Sequence, residues 1–113
     1  MKEKVLIPTR GVIALDIINS LNSMGMETLL MHSPEDALSL PVKLADRSYK
    51  FYPSRLEDSY LDGEAILEKA REVKAESIHP GYGFLAESPE FARACRDSGV
   101  RFIGPEPDVL ALV

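Results

Sequence analysis

Residues 78–104 read I-H-P-G-Y-G-F-L-A-E-S-P-E-F-A-R-A-C-R-D-S-G-V-R-F-I-G, from Ile78 to Gly104. The stretch begins at the end of a predicted strand, Glu76 to His79, that stops at Pro80. Two glycines around an aromatic, Gly81-Tyr82-Gly83, make the turn. Ser88-Pro89-Glu90 then opens a helix with an N-cap, a proline and an early acid, and Gly99 closes it. Phe91, Ala92 and Cys95 form its inner stripe, and Val100 to Ile103 is a further strand. A strand, a glycine turn, a helix and a strand make one βαβ unit, and bare backbone at a strand's carboxyl end is where open α/β sheets place ligands.

Outward from this unit the same alternation recurs. Lys4 to Pro8 is a short apolar run suited to a buried parallel strand. Thr9-Arg10-Gly11 turns the chain. From Val12 to Met24, Ile13, Ile17 and Leu21 form one stripe with Ala14, Leu15 and Ile18 beside it, which predicts an amphipathic helix ending near Gly25. Met26 to Met31 is a second strand. Ser33 and Pro34 read as an N-cap and first position of a short helix that Pro41 stops; Val42 to Ala45 is ambiguous. Arg47 to Tyr52 has the residues of an edge strand, and Pro53 to Tyr60 reads as loop. Asp62 to Ala75 is a helix, with Ile66, Ala70 and Val73 on one side and acids near its start. Asp108 to Val113 begins another helix, and its apolar end suggests a cut inside a larger architecture. The expected fold is α/β: a Rossmann-like, mainly parallel sheet with helices on both faces.

Composition narrows the function. The 113 residues suffice for one domain with one core. A formal charge of −5 argues against a nucleic-acid or anionic-membrane surface as the main partner. The single Cys95 excludes an internal disulfide and fits a reducing compartment. No apolar run approaches a membrane span, and Met1-Lys2-Glu3-Lys4 leads into a strand without a signal-peptide core; a cytoplasmic protein is expected.

Several chemistries find no support. The first βα turn holds one glycine, not G-x-G-x-x-G, and Met31-His32-Ser33 supplies no acid for a ribose; a dinucleotide is not expected. The phosphate-loop pattern and the G-x-S-x-G elbow are both missing from the sequence. His32 and His79, the only histidines, read as structural, and no metal site is expected. Cys95 reads as a small core hydrophobe. Arg10 follows the first strand beside a helix amino terminus, where it is either a candidate anion contact or, in the plainer reading, a solvated turn residue or the partner of an acid. Gly81-Tyr82-Gly83-Phe84 is either a tight turn with Phe84 plugging the core, or a ligand-facing loop that presents backbone amides and the Tyr82 hydroxyl. Glu87 reads first as a helix-entry acid.

The block I-H-P-G-Y-G-F-L-A-E-S-P-E-F-A, followed by F-I-G-P, closely resembles the N-terminal domain of biotin carboxylases. These are the ATP-grasp components of acetyl-CoA, propionyl-CoA and pyruvate carboxylases, whose usual wording is HPGYGFLSEN and then F-I-G-P. K-V-L-I-P-T-R-G-V-I-A resembles the family's K-I-L-I-A-N-R-G-E-I-A, and Leu44-Ala45-Asp46 and Ser59-Tyr60-Leu61 match its L-A-D and S-Y-L. The resemblance covers essentially the whole chain. It implies an enzyme that uses MgATP and bicarbonate to make carboxyphosphate and then carboxylates biotin on a carrier protein. It also implies that ATP, magnesium and most catalytic residues belong to ATP-grasp and C-terminal parts absent from residues 1–113. The expectation is therefore one wall of the cleft, without catalysis or a bound cofactor of its own. The partners implied are the ATP-grasp and C-terminal portion and the biotin carboxyl carrier protein. Carried over by position, Tyr82 and Gly83 would face biotin, while His79, Gly81, Phe84 and Glu87 would shape the loop.

The sequence departs from the family wording at Thr9 (for Asn), at Val12 (for Glu), and at Arg47, where an acid is common. Asp16, Asn19 and Ser23 stand where family members often carry charges that help form a dimer, so a charge-pair dimer is not carried over. These departures motivate an alternative, a stand-alone non-catalytic relative acting as an interaction or regulatory module. A small-ligand binder using Arg10 and the Gly81 to Gly83 loop is a third reading.

Overall fold

The computed structural model describes residues 2–51, 63–81 and 84–103, without the side chain of Phe84. The predicted loop at Pro53 to Tyr60 and the helix beginning at Asp108 lie outside them. Five parallel strands form one sheet: β1 (Lys4–Ile7), β2 (Glu27–His32), β3 (Arg47–Lys50), β4 (Ser77–Ile78) and β5 (Arg101–Phe102), in the order β3-β2-β1-β4-β5. Leu6 pairs with Leu29 on one side and with Ile78 on the other, so β1 is the central strand.

The helices follow from handedness. Right-handed crossovers outward from β1 to β2 and β3 put α1 (Gly11–Ser23) and α2 (Leu40–Leu44) on one face. The chain then returns past β1, so α3 (Gly63–Val73) and α4 (Pro89–Asp97) lie on the other. Strand side chains alternate between the two layers. Val5, Ile7 and Leu30 pack with Ala14, Ile17, Ile18 and Leu21 of α1. Leu6, Leu29, Met31 and Ile78 pack with Ile66, Leu67, Ala70, Phe91 and Cys95. Each fully buried Leu or Ile among them contributes about 1.5–3 kcal/mol of transfer free energy. The expected parallel α/β sheet with helices on both faces is what the chain forms.

Local signals were read with mixed success. Ser88 caps α4 by accepting a hydrogen bond from the Phe91 amide at 3.1 Å. Gly25 and Gly99 follow α1 and α4 with φ of +81° and +78°. One prediction needs correcting. No helix runs from Ser33 to Pro41. Pro34–Asp36 is a single 3-10 turn, and Pro41 sits in the first turn of α2 rather than ending a helix. Proline lacks the N–H that a first turn leaves unpaired anyway, so here it starts a helix.

Candidate functional site

The strand order reverses between β1 and β4, and the crevice at their carboxyl ends is where a doubly wound sheet leaves room for a ligand. Two segments meet there. The turn after β1 carries Thr9, Arg10 and Gly11, and the segment after β4 carries His79, Pro80 and Gly81. The two glycine-bearing stretches singled out in the sequence are therefore neighbours.

Their contact is close. Gly81 has φ of +81°, and a Cβ built on it would lie 3.0 Å from Thr9 Oγ1 and 3.2 Å from both Thr9 Cβ and Ile13 Cγ2. Both the backbone angle and the space demand glycine. His79 fixes the segment from two sides. Its amide donates to the Leu6 carbonyl at 2.9 Å, extending the β1–β4 ladder. Its Nδ1 accepts from the Gly81 amide at 3.2 Å, which puts the neutral ring's proton on Nε2. Burial lowers the His79 pKa below its ordinary value, against a smaller opposing effect of a backbone hydrogen bond. Phe84 and Glu87 bound a 3-10 turn that leads into α4, and Glu87 is exposed. Tyr82, Gly83 and the Phe84 side chain lie outside the described residues.

Arg10 is engaged on the other side of the same turn. Its Nε and one terminal nitrogen donate to the two carboxylate oxygens of Asp36, each at 2.9 Å. Ser33 Oγ, fully buried, donates to Asp36 Oδ2 at 3.1 Å. The Arg10 side chain is 44% exposed against 12% for Asp36, so a bidentate pair braces the amino end of α1 against the segment after β2. Of the readings that the sequence left open for Arg10, this geometry displays the pairing with an acid. Sequence reasoning missed Asp36, because it lies 26 residues away across a crossover. It noticed Thr9 only as a turn residue and as a departure from a family wording. No local pattern announces either partner.

The remaining candidates sit apart. His32 is buried at the end of β2, and its Nδ1 donates to the Ser33 carbonyl at 2.8 Å, the opposite tautomer to His79. Cys95 is buried in the core, and desolvation pushes its thiol up to about 12, which makes it inert. Among the described residues no three His, Cys, Asp or Glu side chains gather to hold a metal. A shallow groove of about 300 Å³, lined by Lys4, Glu27, Leu29, Arg47, Tyr49, Glu72 and Val73, opens at the amino end of the sheet, away from the switch point.

Comparison with known proteins gives the chain its family. The family described as "Biotin carboxylase, N-terminal domain" matches residues 1–110. Biotin carboxylase 2 of Bacillus subtilis is 41% identical over 111 residues, which cover 98% of the chain and 25% of that protein. The alpha subunit of the mitochondrial methylcrotonoyl-CoA carboxylase of Arabidopsis thaliana is 46% identical over 103 residues, 91% of the chain and 14% of the relative. The biotin carboxylase domain of a thermophilic 2-oxoglutarate carboxylase, solved with bicarbonate bound, superposes with a TM-score of 0.94 at 42% identity over 99% of the chain and 25% of its own length. The chain thus spans about a quarter or less of these relatives. The family match over nearly every residue, the identity above 40% and the shared fold together show that the chain belongs to the biotin carboxylase N-terminal domain family.

Proposed function

We propose that this chain supplies the biotin-side wall of a biotin carboxylase cleft, with Tyr82 and Gly83 facing the ureido ring and His79, Gly81, Phe84 and Glu87 shaping the loop that carries them. The observation that supports it is the seating of Gly81 on Thr9 and Ile13 at the switch point of the sheet. That seat leaves bare backbone at the mouth of the crevice, where a flat, polar ring can approach closely. In the complete enzyme, MgATP and bicarbonate would supply an activated carboxyl group for biotin on its carrier protein. The phosphate- and metal-holding residues for that step would come from ATP-grasp and C-terminal portions outside residues 1–113. This chain's own part is to bind and orient biotin and to close one side of the cleft. Arg10 is the candidate for an anionic group at the rim, and any such anion would have to compete with Asp36. Work in the cytoplasm is part of the same proposal; among the described residues no helix is long and apolar enough to cross a membrane.

The test uses the carboxylase assembled with this chain. Tyr82→Ala and Gly83→Val should raise KM for free biotin and leave KM for ATP little changed. Equal loss towards both substrates counts against the reading. The chain alone should release no phosphate from ATP in the presence of bicarbonate.

One observation favours a second reading. Val12, Met24, Leu38, Leu40 and Leu44 are the exposed large hydrophobics among the described residues, and all belong to the α1–α2 layer or its connections. Exposed apolar side chains gathered in one layer suit an interaction module. Full function of the carboxylase after Val12→Glu and Leu38→Ser would remove that reading.

A further inference from the structure

We propose that Thr9 is a positioning residue for the biotin subsite, acting through shape: its branched side chain, with Ile13, sets the height at which Gly81, the first residue of the proposed biotin-side segment, rests. This rests on the biotin-wall reading above. Three contacts locate Gly81. The ladder from His79 to Leu6 fixes it along the sheet, and the His79 ring holds its amide. Thr9 and Ile13 lie beneath it. Only this floor is made of side chains whose size can change without removing one of those hydrogen bonds.

Thr9 suits a floor. It is 2% exposed, and both its Oγ1 and its Cβ approach the position of a Gly81 Cβ at 3.0 and 3.2 Å. Branching at Cβ leaves a threonine few rotamers, so the surface it offers is stiff. The next residue, Arg10, is held by Asp36, which keeps the turn from sinking away from the loop. Thr9→Ala removes Oγ1, the nearest atom of the floor, and lets the glycine segment drop towards the sheet. A displacement of well under 1 Å at a binding wall weakens orientation measurably, since misplacement by about 1 Å costs on the order of a hundredfold.

The test compares Thr9→Ala, Thr9→Val and Tyr82→Ala in the assembled carboxylase, with free biotin as the probe. Thr9→Ala should raise KM for biotin about tenfold, with kcat and KM for ATP little changed, and Thr9→Val, which keeps the shape without the hydroxyl, should restore KM. If Thr9→Val is as impaired as Thr9→Ala, the hydroxyl and not the shape matters, and the assignment is overturned. If Tyr82→Ala raises the biotin KM and Thr9→Ala does not, Thr9 is not a positioning residue. If neither does, the biotin-wall reading itself has failed. Amide exchange in the chain alone gives a second measure. Thr9→Ala should speed exchange at Gly81 while leaving Ala70 in α3 protected; uniform acceleration at both sites would make Thr9 merely structural and overturn the proposal.

Discussion

The two ends of the sheet are held by different physics. At the amino end, side chains tie strand to strand with polar bonds. Ser77 Oγ donates to Glu3 Oε2 at 2.6 Å, and Arg101 approaches the same oxygen at 3.6 Å, which joins β1, β4 and β5. Asp46 accepts from the Thr28 amide at 2.9 Å, while Thr28 Oγ1 accepts from the Asp46 amide and donates to Asn22 Oδ1, each at 3.0 Å. That knot pins the start of β3 to β2 and to the last turn of α1. At the carboxyl end, the central crevice is held by close packing around a glycine, with one bidentate ion pair beside it. Polar bonds resist displacement but consume donors and acceptors. A steric seat adds no donor or acceptor of its own to a binding edge, where the Gly81 amide is already engaged by His79 Nδ1.

This contrast can be broken by mutation. The largest effect should follow Gly81→Ala. A side chain at φ of +81° against atoms 3.0 to 3.2 Å away combines backbone strain with overpacking, about 2–4 kcal/mol together. Urea unfolding should show that loss, and the assembled carboxylase should lose its use of biotin. Next comes Thr28→Val at the opposite end. It keeps the volume but leaves the part-buried Asp46 amide without its acceptor, for about 1–2 kcal/mol. Here stability should fall while KM for biotin stays unchanged; a shift in that KM would erase the distinction between the ends. Asp36→Asn should cost less, roughly 1 kcal/mol, because its partner is nearly half-exposed.

The smallest effect concerns pH. The folded-state pKa of His79 lies below the unfolded value of 6.5, so its contribution to stability is fully present above that value. It is lost as pH falls through 6.5 towards the folded pKa, because the unfolded chain binds the proton more readily. Protonated Nδ1 also could no longer accept from Gly81. Thermal melts between pH 7.5 and 5 should therefore decline less steeply for His79→Gln. A steeper decline in the variant would contradict the assignment.

Much of the fold was legible, and for a simple reason. β1 and β2 are buried on both faces, so they appear as apolar runs, and α1 and α4 carry their stripes and stops in a dozen consecutive residues. The segment after β2 was misread because proline at a helix start and proline at a helix end look alike until the backbone is seen. The site was legible only in part. Gly81 and its block stand out in the sequence, but its neighbours Thr9 and Ile13 are some 70 positions away and join it only through strand order. Asp46 matched a family wording whose physical reason, the knot with Thr28, no short pattern could supply.

The strand order also bears on how a ribosome would deliver this domain. By Phe51 the emerging chain can already pair β1, β2 and β3 and cover one face with α1 and α2. Its other face, with Leu6, Leu29, Met31 and Phe51, packs among the described residues against α3 and α4, which emerge later, and the edge of β1 that pairs with β4 waits for that strand. A half-built sheet with a bare apolar face and an open central edge is a sticky nascent species. Slowed elongation between residues 51 and 77 should therefore lower soluble yield, whereas pausing after β5 should not.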